Sequence, residues 1–145
     1  MHYLLKILFA MFILMPELSF AQEMNGWKFH SQREAIAPSH SIVENNGQSY
    51  FVLAGNGKEF ISGGWVKQFA VAGGTVNEFS VKVNYYKTEQ PYRSIIATIV
   101  WLDQNNKQIG PKEFPTGRQG EKDAEFYFQQ IYRVPSAAVR AEVAL

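Results

Sequence analysis

The sequence predicts an antiparallel β-sandwich, and three observations carry that expectation. Residues 76–86, VNEFSVKVNYY, alternate apolar and polar side chains, so Phe79, Val81, Val83 and Tyr85 share one face while Ser80, Lys82, Asn84 and Tyr86 share the other. Short β-rich runs recur between Gly, Asn and Pro turns. No stretch of 10 or more residues has helical periodicity.

Taken in order, residues 1–21 put Lys6 ahead of an apolar run from Ile7 to Met15, followed by Pro16 and the small residues Ser19 and Ala21. That layout is a secretory signal peptide with cleavage after Ala21. The run is shorter than the ~20 residues a membrane-spanning helix needs, and no second run follows, so no transmembrane segment is expected. The mature chain, residues 22–145, has the size of a single domain, expected to be exported and either periplasmic or extracellular. It contains no Cys, which excludes disulfides, thiolate catalysis, sulfur-based zinc sites and a lipoprotein signal. Its 13 basic and 12 acidic side chains form no run of one sign. A nucleic-acid binder concentrates basic charge on one face, and a membrane-surface helix is basic and amphipathic. Neither pattern is present, so neutral partners such as sugars or another protein domain fit better.

The strands follow. Ser49 to Leu53 is β-rich and closed by Gly55-Asn56-Gly57, a turn signal. Trp65 to Val71 forms the next strand, and Gly73-Gly74 tolerate the positive φ of a tight hairpin into Val76 to Tyr86. Ser94 to Leu102 is β-branched and apolar on both faces, which reads as a strand in the middle of a sheet. Asp103 to Lys107 is a turn in which Asn105 or Asn106 takes the left-handed conformation. Residues 108–125, rich in Gly and Pro, read as a long exposed loop. Phe126 to Val134 and Val139 to Leu145 are the last strands, with Pro135 as a bend between them. Because VRAEVAL alternates without a closing turn, either the last strand ends at the terminus or the chain is the N-terminal part of a longer protein, and the second is the reading favoured here.

Catalytic constellations fail one by one. His30 and His40 lack a carboxylate pair at metal-ligand spacing and read as solvent-exposed, while Ser39-His40-Ser41 reads as a loop tripeptide. Glu121, Asp123 and Glu125 sit beside Arg118 and Lys122, as on a solvated face. The glycines of AGNGKEF and VAGGTV precede no helix, so they do not read as a phosphate cradle. Aromatic residues carry more information, because a pyranose stacks its C–H face on a ring while nearby polar groups bond its hydroxyls. Tyr86, Tyr92 and Arg93 read either as lining one end of a concave sheet or as an ordinary exposed loop whose tyrosines pack on its own backbone. Trp65 is the further candidate platform, although its parity with Phe69 and Val71 favours a place in the core, with Lys67 as an awkward neighbour on that face. Trp101 lies on an all-apolar strand and reads as core.

The order of these features resembles a known group. Asn25-Gly26-Trp27, Gly47-Gln48-Ser49, GGWVKQFAVAGGT, EFSVKV, PYRSIIATIVWLDQNNK and YRVPSAAVRAEVAL together resemble the galactose-binding-like jelly rolls of CenC-type carbohydrate-binding modules. REAIAP at 33–38 and PYRSIIATIVWLD at 91–103 look like the jelly-roll domain that precedes a nitrilase-type carbon–nitrogen hydrolase domain in some exported bacterial proteins. The resemblance implies a sandwich of eight to nine strands with a non-catalytic accessory role toward polysaccharide or oligosaccharide. The alternative it leaves is a structural domain that packs on a downstream catalytic domain without a sugar site. Hydrolase chemistry does not transfer, because the Cys nucleophile is missing. Such modules often hold a structural calcium through oxygen ligands. Glu44, Asn45 and Asn46 are loose candidates here, without the acidic residue usually supplied by the last strand.

Overall fold

The computed structural model describes residues 23–57, 60–122 and 124–145, so the expected signal peptide lies outside the described residues. The strands in chain order are β1 (Glu23–Met24), β2 (Trp27–His30), β3 (Ser39–Asn45), β4 (Gln48–Ala54), β5 (Gly64–Ala70) and β6 (Val76–Asn84). A single helical turn, α1 (Pro91–Ser94), precedes β7 (Thr98–Leu102), β8 (Gly117–Gln119), β9 (Glu125–Arg133) and β10 (Arg140–Ala144). Three antiparallel sheets result: β1-β2-β5-β10-β7, β3-β4 and β6-β9-β8. The expectation of an all-β sandwich is met.

The five-stranded sheet is one layer. Register places Phe29 beside Trp65, Ala141 between Phe69 and Trp101, and Val143 between Lys67 and Ile99, all on its inner face. The three-stranded sheet covers the β10-β7 side of that face, where Ile99, Trp101, Ala141 and Val143 pack with Tyr132, Val134 and Ala138. Phe126, Phe128 and Ala97 form an adjoining cluster with Phe79 and Val81 at its border. The β3-β4 hairpin covers the other side, with Phe51 on Trp27 and Trp65 and the His40 ring stacked on Phe29 at 3.7 Å. Fully burying a side chain such as Val134 or Phe126 contributes roughly 1.5–3 kcal/mol.

Several local expectations change once partners are in place. The Gly73-Gly74 pair does not close a hairpin, because β5 and β6 belong to different sheets; it turns a corner between layers. Gly74 has φ 82°, and a Cβ on Gly73 would lie 2.0 Å from the Ser136 carbonyl oxygen, so the corner is pressed against the chain leaving β9. The run 94–102 does not form a central strand. Pro91–Ser94 is helical, and β7 lies at the edge of its sheet. It is apolar because the chain after it folds back over that edge: Glu113 bridges Ile99 and Gln108 bridges Leu102.

Asn106, at φ 62°, takes the left-handed place in its turn, and Asp103 Oδ1 accepts the N–H groups of Asn105 and Lys107 at 2.8 and 2.9 Å. The 108–125 loop holds one short strand, β8. Ser39-His40-Ser41 lies in β3, not in a loop. Asn46 (φ 52°) and Gly47 (φ 74°) form the turn between β3 and β4, a two-residue hairpin signal present in the sequence. Pro135 does separate strands of different sheets, β9 and β10. Among the described residues no helix is long and apolar enough to cross a membrane.

Candidate functional site

The site residues expected from the sequence separate into a buried one and exposed ones. Trp65 is 2% exposed. Its indole is boxed by Phe29, His40 and Phe51 at centroid distances of 5.9, 5.8 and 5.1 Å, and its Nε1 is buried without a hydrogen-bond partner. No ring face remains open to a ligand, so Trp65 belongs to the core that its parity favoured. Trp101 is buried as expected. Lys67 is half-buried on the same inner face, and its Nζ sits 4.9 Å from the centre of the Phe69 ring. Its alkyl stem packs while the ammonium finds a π face.

Tyr86 and Tyr92 have the opposite fate, at 82% and 62% exposed. β6 ends at Asn84, so the alternation that buries Tyr85 turns Tyr86 outward with no layer above it. Lys87, held at φ 53°, brings its Nζ to 5.2 Å from the Tyr86 ring centre. Tyr85 to Glu89 and Ala124 bound an open hollow at this end of the three-stranded sheet. Tyr92 stands on α1, its ring edge-on to Phe126 at 5.0 Å, and its hydroxyl oxygen accepts the Gln119 backbone N–H at 3.3 Å. Tyr85 reaches the same residue, its hydroxyl within 3.0 Å of Gln119 Nε2 and 3.2 Å of Oε1. Arg93 is exposed, and among the described residues its guanidinium has no hydrogen bond or ion pair. Tyr92 and Tyr85 are thus gathered on β8 through Gln119, whereas no direct contact joins Tyr86 to Tyr92 or Arg93.

Gln119 and Tyr85 were not singled out from the sequence. Gln119 lies in the Gly- and Pro-rich stretch that reads as loop, and Tyr85 shares the face of Phe79, Val81 and Val83. Glu125 also differs from expectation. It is 8% exposed rather than part of a solvated face, because it pairs with the Lys82 ammonium and accepts from the Tyr127 hydroxyl at 3.2 Å. The hydrogen bond from Lys82 holds the Glu125 carboxyl below the usual carboxylate range, and Glu125 in turn holds the Lys82 ammonium above its ordinary value. Asp123 lies outside the described residues. His40 is part of the aromatic packing at Phe29, and no group of three or more His, Asp or Glu side chains gathers as metal ligands among the described residues.

A second concavity lies between the layers, about 460 Å³, lined by Trp27, Phe69, Phe79, Val81, Trp101 and Tyr132 among others. None of Trp65, Tyr86, Tyr92 and Arg93 lines it. No protein-family model, curated protein or solved structure matches this chain.

Proposed function

We propose that this protein is an exported, non-catalytic carbohydrate-binding module of the galactose-binding-like jelly-roll kind, taking polysaccharide or oligosaccharide at the end of its three-stranded sheet. The supporting observation is two open tyrosine rings at this end of the sheet, Tyr86 at the border of the hollow and Tyr92, which is followed by the unpaired Arg93 guanidinium and is bonded to the backbone of Gln119. A sugar ring stacks on a tyrosine face, and an amide and a guanidinium donate to its hydroxyls. Tyr86 and Tyr92 are the stacking residues in this reading, and Arg93 donates. Binding of the protein to a panel of soluble and insoluble polysaccharides, with and without calcium, tests it. Such contacts give dissociation constants of about 1 µM to 1 mM, so the assay reaches millimolar ligand. A saturable signal lost in Tyr92→Ala or Arg93→Ala supports the site; silence across the panel sinks it.

One observation favours the second reading, a domain that packs on a catalytic partner such as a carbon–nitrogen hydrolase. Val76 and Ile131 are 59% and 69% exposed on the outer face of the β6-β9 pair, where register makes them diagonal neighbours. A gain in stability or a loss of monomer on adding such a partner, with no sugar binding, would select this reading.

A further inference from the structure

The inner face of the five-stranded sheet is covered by two pieces that are not hydrogen-bonded to each other, the β3-β4 hairpin and the three-stranded sheet. The cleft described above lies on the β6 side of the division, and its lining shows which part of β6 faces it. Five consecutive residues, Asn77 to Val81, border the space. Successive side chains of a strand point to opposite faces, so a strand presents consecutive residues to one space through its edge.

That edge is unpaired. The odd-numbered residues of this segment turn their backbone groups toward β9, as when Val134 N–H donates to the Thr75 carbonyl and Tyr85 N–H donates to the Ala124 carbonyl. Val76, Glu78, Ser80, Lys82 and Asn84 therefore turn N–H and C=O the other way, where no strand pairs among the described residues. The floor repeats the pattern. Trp65 and Val71 donate to the Leu145 and Val139 carbonyls, so Gln68 and Ala70 face away from β10, and β2 pairs only as far along as Val66. Free edges and an apolar lining, Trp27 and Phe69 on the floor and Phe79 on β6, meet at this cleft, and a lysine stands beside it over the Phe69 ring. Lys67 is that lysine, and no carboxylate pairs with it among the described residues.

We propose that the cleft takes one extended segment of a partner polypeptide, which adds as a strand to the free edge of β6, with apolar side chains at alternate positions and an acidic one where it passes Lys67. The backbone of the segment meets the N–H and C=O groups of Glu78, Ser80 and Lys82, and its inward side chains fill the apolar space. A carboxylate supplies the charge that Lys67 lacks. A second copy of this chain does not fit, because the five-stranded layer continues beneath the cleft as β5 and β2 and occupies the place its own lower layer would need. The occupant is accordingly a segment without a sheet of its own.

The test uses a labelled synthetic peptide, Thr-Val-Thr-Glu-Thr-Val-Thr-Val-Thr, and reads fluorescence anisotropy. Saturable binding is expected, weakened about tenfold or more by Ser80→Pro, since the Ser80 N–H faces the free edge and a proline there leaves the β9 ladder intact. The same peptide N-methylated at alternate amides keeps the protein unaltered, and it too should bind about tenfold more weakly or worse. Replacing the Glu of the peptide by Lys should weaken binding severalfold, and less so against Lys67→Met. Absence of binding at about 1 mM peptide, or binding that N-methylation leaves unchanged, overturns the proposal. Binding of laurate without binding of the peptide does so as well and makes the cleft a site for small apolar molecules. Polysaccharide binding has no bearing on it, because Tyr86, Tyr92 and Arg93 stand outside the cleft.

Discussion

Two aromatic stretches of this chain have opposite fates. In GGWVKQFAVAGGT the tryptophan is sealed beneath a hairpin and the strand lies inside a five-stranded sheet; in NYYKTEQPYR two tyrosines stand open to solvent. Both stretches carry rings next to charged residues, so composition does not separate them. What separates them is whether a second layer lies above. β5 has the β3-β4 hairpin over its first half, whereas β6 ends at Asn84 and the Tyr86 that follows it is left uncovered.

The largest test of this contrast is Trp65→Ala. Removing a boxed indole should cost about 3–5 kcal/mol, read from urea denaturation, and a cost under about 1 kcal/mol would mean that the hairpin does not close over the ring. Trp65→Phe should cost much less, since it also removes the buried Nε1 that lacks a partner. Next in size is Gly117→Ala. A Cβ there would lie 1.9 Å from the Phe126 ring, on the strand that also positions Gln119 and Tyr92. Overpacking of that kind should destabilise by about 1–3 kcal/mol and weaken any ligand binding that depends on Tyr92.

The pair of Lys82 and Glu125 sharpens the comparison through pH. Glu125 has a folded-state pKa below its ordinary 4.5, so its contribution is present above about pH 4.5 and is lost as pH falls through the lower folded value. Lys82 lies above its ordinary 10.5, so its contribution is present below that value and is lost as pH rises through the folded one. In Glu125→Gln the acid limb of the stability profile should flatten, as should the part of the alkaline limb that belongs to Lys82. Tyr132 should keep an alkaline loss of its own, because burial, with Glu113 nearby, holds its phenol protonated above the ordinary 10.0. An unchanged acid limb would show that Glu125 is as exposed as its neighbours in sequence suggested. The smallest effect on stability belongs to Tyr86→Ala, within about 0.5 kcal/mol of the parent by thermal unfolding. A larger loss would place that ring in packing after all.

Legibility followed the range of the interactions involved. The alternation of Phe79, Val81 and Val83 is local, and the structure keeps it residue by residue. The Asn46-Gly47 turn was equally local, yet the strand leading into it, SHSIVEN, alternates too weakly to stand out; its role as a cover depends on Phe51 and His40 meeting Trp65 and Phe29. β7 looked central because apolar residues on both faces usually mean strands on both sides. Its second side is covered by the returning chain at Gln108 and Glu113, which no periodicity announces. At the candidate site, Tyr86 and Tyr92 were readable as rings near a strand end, while Gln119, which holds Tyr92 and Tyr85, sat in a Gly-rich stretch with no pattern of its own.

By itself the sequence determined that this chain is β, antiparallel and turn-rich, and which face of each regular strand is apolar, because side-chain parity and turn chemistry act over a few residues. Tertiary structure alone decided which aromatic residues are walls and which are open, that Glu125 is buried against Lys82, and that β6 keeps a free edge above an apolar floor. Those outcomes depend on which strands become neighbours, and strands such as β5 and β10 that pair across some 70 residues of sequence, as Gln68 does with Glu142, are joined only by the packing of the whole.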